Sequence, residues 1–429
     1  MMKMISSLAF LLGMSLVEFG HGEIASAETN SFGYSPNWVQ PRLFVSFWYD
    51  PVVPAEAIPA RFAEIRNANF TAVLGGFGAK TTDMINAQIA AAESNGLGLV
   101  ATASSGQNIS TFKKSLALRG YQLKDEPAAR DFQGLKALTE SIKTSHPGKL
   151  RYINLLPFCP PSQLNATSYE DYVSSFVRIV KPDVLSFDYY PNFNAPRNSS
   201  DPSLDGYRRN LAVARKFALL ASIPLWNFMA VESVFGGEPD PTESQLRWQV
   251  FTSLAYGARG FMYFTYWGAI LVQREPFKSG ESSSSPVLSV NEKYYQVKRI
   301  NSAVLAWEPY LMDARSVGVF YCSHDDGKIS VAEGVQPSEA PWLKSIASTV
   351  DFLIGQFRLS DGRAALMIQN QNAAFNGVAK ITFSSLLEKN TMTEVSSHDG
   401  NEGFVLNEGS GEVLTLTIQS GGARLLLIK

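Results

Sequence analysis

The chain has 429 residues, of which 45% are hydrophobic and 18% charged, enough for one large globular domain and a smaller one. Its net charge of −2 excludes the strongly basic surface typical of proteins that bind nucleic acids or anionic membranes. Its two cysteines, Cys159 and Cys322, exclude a disulfide scaffold and a cysteine zinc cluster, and we expect them not to pair because they fall in different predicted domains.

Residues 1–27 have the pattern of a secretory signal peptide. Lys3 supplies the positive start, an apolar run follows, and "ASA" at 25–27 matches a small-residue cleavage site. We therefore expect the protein to be secreted, or periplasmic in a bacterium. No later run approaches the roughly 18 apolar residues that span a bilayer, so no membrane span is predicted. Four N-glycosylation sequons fit an exported glycoprotein in a host that glycosylates: Asn69, Asn108, Asn165 and Asn198.

Eight short apolar segments follow the signal-like region, and helix-like segments separate them. Most are near-continuous apolar runs, which is typical of parallel strands that are buried on both faces. The predicted strands are residues 42–49, 69–76, 97–104, 120–126, 151–158, 183–190, 224–232 and 260–267.

The segments between these strands have a helical pattern. They cover residues 82–95, 128–146, 168–180, 205–222, 242–257 and 292–307. Eight strands, each followed by a helix over about 270 residues, match the size of a (β/α)₈ barrel. An open doubly wound sheet is the alternative, but eight regular units favour closure. We therefore predict an α/β fold with a TIM barrel over residues 36–310.

After residue 310 the pattern changes to alternating apolar and polar residues. Segments such as "SVGVFY", "AALMIQNQ" and "EVLTLTI" are separated by turns rich in Gly, Asn and Ser. This alternation predicts a small antiparallel β-sandwich over residues 311–429. Because it has no cluster of carboxylates, we expect this second domain to be structural.

Carboxylates stand at the ends of two predicted strands. Asp125 and Glu126 end the fourth strand, and Glu232 ends the seventh. An acidic residue before Pro127 is also a common helix start, so helix capping is the structural interpretation of this motif. In barrel enzymes, however, catalytic residues lie at the carboxyl ends of the strands. Paired carboxylates serve glycoside hydrolysis, one as proton donor and the other as nucleophile or base.

Other residues near the strand ends are candidate sugar contacts. We expect these to be Trp48, Phe77, Asp125, Asn154, Asp188, Tyr190, Asn227 and Trp267, with Trp226 as a further candidate that is equally compatible with the core. The "GGFG" segment at 75–78 predicts a tight turn or a close approach of a ligand to the backbone. No histidine lies at a strand end, and there is no HExxH, GxSxG or Walker motif. We therefore expect no metal and no cofactor.

This arrangement resembles glycoside hydrolase clan A, the retaining TIM-barrel glycosidases, and family 42 β-galactosidase-like proteins in particular. The resemblance covers the barrel and implies that Glu126 is the acid/base and Glu232 the nucleophile. It further implies that Tyr190 forms a hydrogen bond with the nucleophile and that Trp267 is a stacking platform. The sequence departs from the clan at Asp125, since the clan usually has Asn before its acid/base.

Together these features predict a secreted glycoside hydrolase that cleaves O-glycosidic bonds of an oligo- or polysaccharide by a retaining two-glutamate mechanism. The mechanism needs a raised pKa at Glu126, which we expect burial and the negative charge of Glu232 to provide. Two alternatives from other classes remain open. One is a non-catalytic carbohydrate-binding barrel, and the other is a lyase or aldolase that uses Lys124 as a Schiff-base amine.

Overall fold

The structure is a computed structural model that describes residues 30–429 except 104–107, 196–202, 237, 268–271, 275–287, 337, 339, 385–390 and 407–412. The signal-like segment and the sequon at Asn198 lie outside the described residues. Asn69, expected in a buried strand, instead lies in a turn before the second strand, with φ 60°.

Eight parallel strands form the first sheet. They are β1 Phe44–Phe47, β2 Ala72–Leu74, β3 Gly98–Thr102, β4 Leu118–Asp125, β5 Leu150–Leu155, β6 Leu185–Phe187, β7 Leu225–Ala230 and β8 Ala258–Phe264. Their order in the sheet is β1-β8-β7-β6-β5-β4-β3-β2, so each strand lies beside its neighbour in the chain and β1 pairs with β8. The predicted TIM barrel is confirmed.

Thr71 joins β1 and β2, the two strands at which the sheet closes. Its backbone N–H donates to the Val45 carbonyl over 2.9 Å. Its hydroxyl donates to the Leu43 carbonyl over 2.6 Å and accepts the Val45 N–H over 2.8 Å. Because Thr71 is buried, these bonds satisfy backbone groups that have no water to bind.

Helices cover the outside of the barrel. They are α1 Ile58–Asn67, α2 Thr82–Ser94, α3 Phe132–Ser145, α4 Pro161–Leu164, α5 Tyr169–Val180, α6 Leu204–Ala221, α7 Glu243–Ala255, α8 Glu292–Ala306 and α9 Glu308–Asp313. One departure from the predicted alternation lies between β3 and β4, where the described residues contain only a 3₁₀ turn, Ile109–Thr111. Across the described ranges, no helix has the length and apolar character that crossing a membrane requires.

Side chains of the barrel strands alternate between two cores. Even-numbered residues of β1, β5, β7 and β8 point inward and fill the barrel, among them Phe44, Tyr152, Trp226, Phe228 and Met262. Their odd-numbered neighbours pack against the helices. This alternation decides which strand-end residues face the mouth of the barrel and which face the helix layer.

The chain after α9 forms antiparallel sheets. A hairpin of β9 Val272–Arg274 and β10 Leu288–Val290 precedes α8. The later strands are β11 Arg315–Cys322, β12 Ile329–Val331, β13 Leu343–Ser348, β14 Phe352–Arg358, β15 Ala364–Asn370, β16 Gly377–Phe383, β17 Met392–Val395, β18 Glu402–Leu406, β19 Val413–Ile418 and β20 Ala423–Ile428. A seven-stranded sheet (β12-β11-β14-β15-β20-β17-β18) and a three-stranded sheet (β13-β16-β19) share a hydrophobic core, which confirms the β-sandwich.

Two buried tryptophans fix the sandwich to the barrel helices. The indole N–H of Trp248 in α7 donates to the Gln371 carbonyl over 3.1 Å. That of Trp307, after α8, donates to the Val395 carbonyl over 3.0 Å. The backbones also approach closely, since a Cβ at Gly355 would lie 2.4 Å from the Ala255 carbonyl oxygen. Indole N–H groups need a partner when buried, so these bonds set how the sandwich sits on the barrel.

The two cysteines do not pair. Cys322 ends β11 and is buried in the sandwich, whereas Cys159 lies after β5 and is partly exposed. No disulfide joins these two described residues, as predicted.

Candidate active site at the barrel mouth

A register shift turns Asp125 toward the mouth of the barrel. The register of β4 against β5 shifts between Gln122 and Lys124. After the shift, Asp125 is level with Asn154 and Lys124 is level with Ile153. Since the Ile153 side chain packs in the helix layer, Lys124 faces away from the barrel axis and Asp125 faces the mouth. A Schiff base at Lys124 inside the barrel does not fit this placement.

Glu126 follows β4 in a left-handed backbone conformation with φ 45°. This conformation costs a residue other than glycine about 1 kcal/mol. The Glu126 N–H donates to the Asn154 carbonyl over 2.9 Å, which fixes the backbone at this point. Backbone strain of this kind is concentrated at functional sites.

The helix-capping interpretation of Asp125 and Glu126 is wrong. Helix α3 begins only at Phe132, after a short 3₁₀ turn. The carboxylate that accepts the N–H of Ala128 at this turn belongs to Asp131, over 3.1 Å. The two acidic residues before Pro127 are therefore not used to start the helix.

Asn154 holds two carboxyl groups together below the mouth. Its side-chain amide donates to Asp188 over 3.0 Å and lies 3.3 Å from Asp125. The Asn154 amide oxygen accepts the Ser186 hydroxyl over 3.0 Å, which orients the amide. Because Asn154 is only 2% exposed, it positions the carboxyl groups from beneath and offers little surface to a ligand.

The carboxyl groups of Glu126 and Asp188 both have raised pKa values and form a hydrogen bond with each other. Glu126 is exposed at the mouth, yet the protein around it desolvates its carboxyl and raises the pKa. The charge of Asp125 raises this pKa further, and a hydrogen bond with Asp188 lowers it. Burial, followed by the charges of Glu126 and Asp125, raises the pKa of Asp188 well above its usual value. A hydrogen bond between two carboxyl groups requires at least one proton, and because the pKa of Asp188 is raised more strongly, Glu126 is the group that releases its proton first.

This electrostatic environment differs in one respect from the sequence prediction. Glu232 was expected to supply the negative charge that raises the pKa of Glu126. The charge acting on Glu126 is that of Asp125, its neighbour in the chain. The predicted raised pKa is therefore present, with burial as its largest cause as expected, but the charge that adds to it comes from Asp125 and not from Glu232.

Glu232 lies two residues after β7, in the inward series of Trp226 and Phe228. Its carboxylate is half-buried and accepts the Thr265 hydroxyl over 2.9 Å. It also lines a cavity of about 140 Å³ between the loops that follow β6 and β7. Among the described residues, the Thr265 hydroxyl is the hydrogen-bond donor to Glu232, and the expected bond from Tyr190 is not formed there.

Aromatic rings form the opposite wall of the mouth, above β1 and β2. Phe77 stacks on Tyr49 with ring centroids 4.5 Å apart and meets Trp48 edge-on at 5.1 Å. Trp48 is only 8% exposed, so Phe77 and Tyr49 present most of the accessible surface. The partly exposed Trp267 adjoins this wall, since its backbone N–H donates to the Tyr49 carbonyl over 3.0 Å. Tyr190 lies beside Phe264, with ring centroids 5.3 Å apart.

Asp50, three residues after the end of β1, organises this wall and was missed by the sequence analysis. One of its carboxylate oxygens accepts three successive N–H groups, those of Gly76, Phe77 and Gly78, over 2.7–3.1 Å. The other accepts the Gln88 amide over 2.5 Å. The "GGFG" turn therefore wraps around a buried carboxylate rather than a ligand. The signal was present in the sequence as an acidic residue just past a strand end.

We expect Asp50→Ala to lower the free energy of unfolding by about 3 kcal/mol, because one buried and two partly buried N–H groups lose their acceptor. Chemical denaturation measures this change. Asp83→Ala, at an exposed position in the first turn of α2, is the matched control and should cost less than about 1 kcal/mol. Equal effects of the two substitutions would show that Asp50 does not hold the turn.

The predicted sugar contact at Asn227 is wrong. Asn227 is fully buried on the outward side of β7, and its amide donates to the Tyr207 hydroxyl over 2.9 Å and to the Ser253 hydroxyl over 3.1 Å. It therefore fixes the sheet to α6 and α7. Trp226 is also fully buried, stacked at 3.9 Å on Phe44 deep in the barrel, which confirms the core interpretation.

The mouth thus combines an aromatic wall with carboxyl groups on the loops after β4, β6 and β7. Aromatic faces bind the apolar faces of sugar rings, and carboxylates bind hydroxyl groups. Two carboxyl groups in different protonation states can give and accept a proton. In the part of the chain that the structure describes, no group of three or more His, Cys, Asp and Glu is arranged to hold a metal ion.

No protein-family model matches the sequence, and no curated protein is detectably similar to it. Among solved structures, the chain is similar to a "putative alpha-galactosidase" of Bacteroides fragilis, with a TM-score of 0.51 and 8% identity over 91% of this chain and 79% of that one. It is also similar to α-galactosidase I of Mortierella vinacea, with a TM-score of 0.49 and 10% identity over 90% and 96% of the chains. At 8% identity, the likeness to the Bacteroides structure shows a shared fold. The Bacteroides structure gives no support for family 42 in particular.

Proposed function

We propose that this protein is an exported glycoside hydrolase that cleaves O-glycosidic bonds with retention of configuration. Glu126 is the acid/base and Glu232 the nucleophile. The observation that carries the proposal is the raised pKa of Glu126 at the mouth of a TIM barrel, because a general acid must hold its proton near neutral pH. The fold shared with the Bacteroides structure, whose name refers to an α-galactosidase, is compatible with this chemistry.

In the proposed reaction, Glu126 donates its proton to the glycosidic oxygen while Glu232 attacks the anomeric carbon. The bond from that carbon to the leaving oxygen breaks, and a covalent glycosyl-enzyme forms. Glu126, now an anion, receives a hydrogen bond from protonated Asp188 and then removes a proton from the water that releases the sugar. The hydrogen bond from Thr265 keeps the Glu232 carboxylate oriented.

The proposed substrate contacts differ in their access to the mouth. Phe77, Tyr190 and Trp267 are partly exposed and form the aromatic part of the site. Asp125 is exposed and is proposed to bind a sugar hydroxyl. The two rival functions have less support: a binding barrel has no need of a carboxyl group with a raised pKa at its mouth, and Lys124 faces the helix layer.

An assay against aryl glycosides, beginning with α- and β-galactosides, tests this proposal. We expect hydrolysis, and proton NMR should show that the first anomer of the product has the configuration of the substrate. Inversion would show that Glu232 activates water instead of attacking carbon. Binding of oligosaccharides without turnover would favour the non-catalytic barrel.

Asp125→Asn should move the alkaline limb of the kcat/KM profile to lower pH. Glu126 must be protonated in the free enzyme, and the charge of Asp125 is one cause of its raised pKa. Removing that charge lowers the pKa of Glu126, so activity is lost earlier as pH rises. Glu140→Gln, on the exposed face of α3, is the control and should leave the profile unchanged. An unmoved limb in Asp125→Asn would mean that Glu126 is not the group that titrates there.

A further inference from the structure

A cavity of about 370 Å³ lies at the amino-terminal ends of β7 and β8, opposite the mouth. It is bounded by the end of α6, the turn into β7, the start of β8 and the start of β11. Three arginines line it, Arg215, Arg259 and Arg315, and no acidic residue does. A cavity with three cationic side chains and no carboxylate in its wall has a strongly positive potential.

The central observation is the burial of the Arg215 side chain, in α6, without an anionic partner among the described residues. It is only 6% exposed, and its Nε donates to the Ser316 hydroxyl over 2.9 Å. Its two terminal amino groups have no hydrogen-bond partner among the described residues, and no carboxylate there forms an ion pair with it. Burial lowers the pKa of Arg215 to about 10, so it remains charged at neutral pH. A buried guanidinium without an anionic partner is rare, because desolvation of the charge is uncompensated.

The surroundings of Arg215 supply cations and backbone contacts rather than a carboxylate. Arg259 donates to the Ala314 carbonyl over 2.9 Å, and the nearby charge of Asp313 acts on Arg259 without lining the cavity. The exposed Arg315 stands at the rim. The hydroxyl of buried Tyr256, in the cavity wall, also has no partner among the described residues. The polar side of this cavity therefore has unused hydrogen-bond donors.

The opposite side of the cavity is apolar. It is formed by Ala218, Leu219, Ile223, Pro224 and Leu225. The volume exceeds that of a single oxyanion and falls in the range of small-molecule sites. A ligand with an anionic head and an apolar body would satisfy both sides.

We propose that this cavity is a binding site for a tetrahedral oxyanion, a phosphate or sulfate group that Arg215 binds with support from Arg259 and Arg315. The fork of guanidinium donors matches the oxygens of such a group, and arginine is the residue type best suited to this contact. The site joins α6, β8 and β11, so an occupied site ties the barrel to the sandwich. It is independent of the chemistry at the mouth.

Thermal unfolding of the full protein in inorganic phosphate, compared with sodium chloride of equal ionic strength, tests the site. Phosphate and sulfate should each raise the Tm by at least about 2 °C beyond the chloride value. Isothermal titration should show the same ions binding to a single site. Equal Tm values in phosphate and chloride, with no binding heat, would overturn the proposal.

Substitutions locate the binding. Arg215→Met should abolish the phosphate-specific shift, and Arg315→Met, at the exposed rim, should weaken binding several-fold while the protein stays folded. Arg209→Met is the matched control, because Arg209 lies on the same helix but pairs with Glu333 outside the cavity. An unchanged affinity in Arg315→Met, or a shift that persists in Arg215→Met, contradicts the assignment; if Arg215→Met does not fold, Arg315→Met decides.

Phenyl phosphate distinguishes a free ion from the head group of a larger ligand. Tighter binding of phenyl phosphate than of inorganic phosphate would show that the apolar wall at Leu219 and Ile223 contributes. Equal affinities would assign the site to the free ion. Either result is compatible with an oxyanion site, whereas failure of both probes to bind is not.

Discussion

Glu232→Ala should lower kcat/KM on aryl glycosides by about 10⁴-fold or more. In a retaining reaction this carboxylate forms the bond to the anomeric carbon, so its removal deletes a reactant rather than a stabilising contact. Its position supports the role: it stands inward after β7, half-buried, with its oxygen held by the Thr265 hydroxyl. In the proposed reaction, Glu126 and Asp188, which follow β4 and β6, take part in proton transfer, and Asp125, at the end of β4, binds a sugar hydroxyl.

Azide should restore part of the activity that Glu232→Ala loses. In Glu232→Ala the methyl side chain leaves room for a small anion beside the anomeric carbon. With a good leaving group, azide should attack in place of the missing carboxylate and form a glycosyl azide of inverted configuration. Product analysis by NMR distinguishes this reaction from residual wild-type activity, which would give free sugar.

Glu238→Ala is the matched control for Glu232→Ala. Glu238 lies in the same loop after β7, where it accepts a hydrogen bond from the Asn194 amide, and it has no role in the proposed reaction. It should retain activity within a few-fold of the wild type. A Glu232→Ala enzyme that keeps most of its activity, or one that azide rescues with retention of configuration, would show that the nucleophile is another residue.

The barrel was predictable from the sequence because its strands are buried on both faces. Near-continuous apolar runs mark such strands wherever they occur. Each of the eight predicted segments overlaps a strand, although β2 and β6 are shorter than predicted, at Ala72–Leu74 and Leu185–Phe187. Strand ends are set by loop contacts between distant residues, which an apolar run does not record.

The side to which a residue points was predictable only where the strand is regular. On β7 the alternation of inward and outward side chains is unbroken. Because Trp226 points inward, even-numbered Glu232 points inward and odd-numbered Asn227 points outward. This pattern alone should have excluded Asn227 from the site. On β4 the bulge before Lys124 reverses the parity. A bulge depends on the partner strand, and nothing in the local sequence records it.

Electrostatic neighbours were the least predictable part of the site. The carboxyl group that forms a hydrogen bond with Glu126 is that of Asp188, which lies two strands away. Sequence patterns identified Asp188 as a strand-end residue, but only the barrel, with Asn154 between the two strands, brings these groups together. The same applies to Thr265, whose contact with Glu232 depends on the loop after β8.

Glu126→Ala should reduce kcat/KM by about 10²–10⁴-fold on substrates with poor leaving groups. On activated aryl glycosides, such as dinitrophenyl derivatives, kcat/KM should change by less than about tenfold, because a stable leaving anion needs no proton.

The kcat of Glu126→Ala on these activated substrates should nevertheless fall, since water then attacks the glycosyl-enzyme without a base. Azide needs no base, so it should restore kcat on these substrates and give a glycosyl azide of retained configuration. That stereochemical result is opposite to the one expected for Glu232→Ala, and it separates the two roles. Equal losses on good and poor leaving groups would remove Glu126 from proton transfer and leave Asp188, which holds its proton more firmly, as the acid.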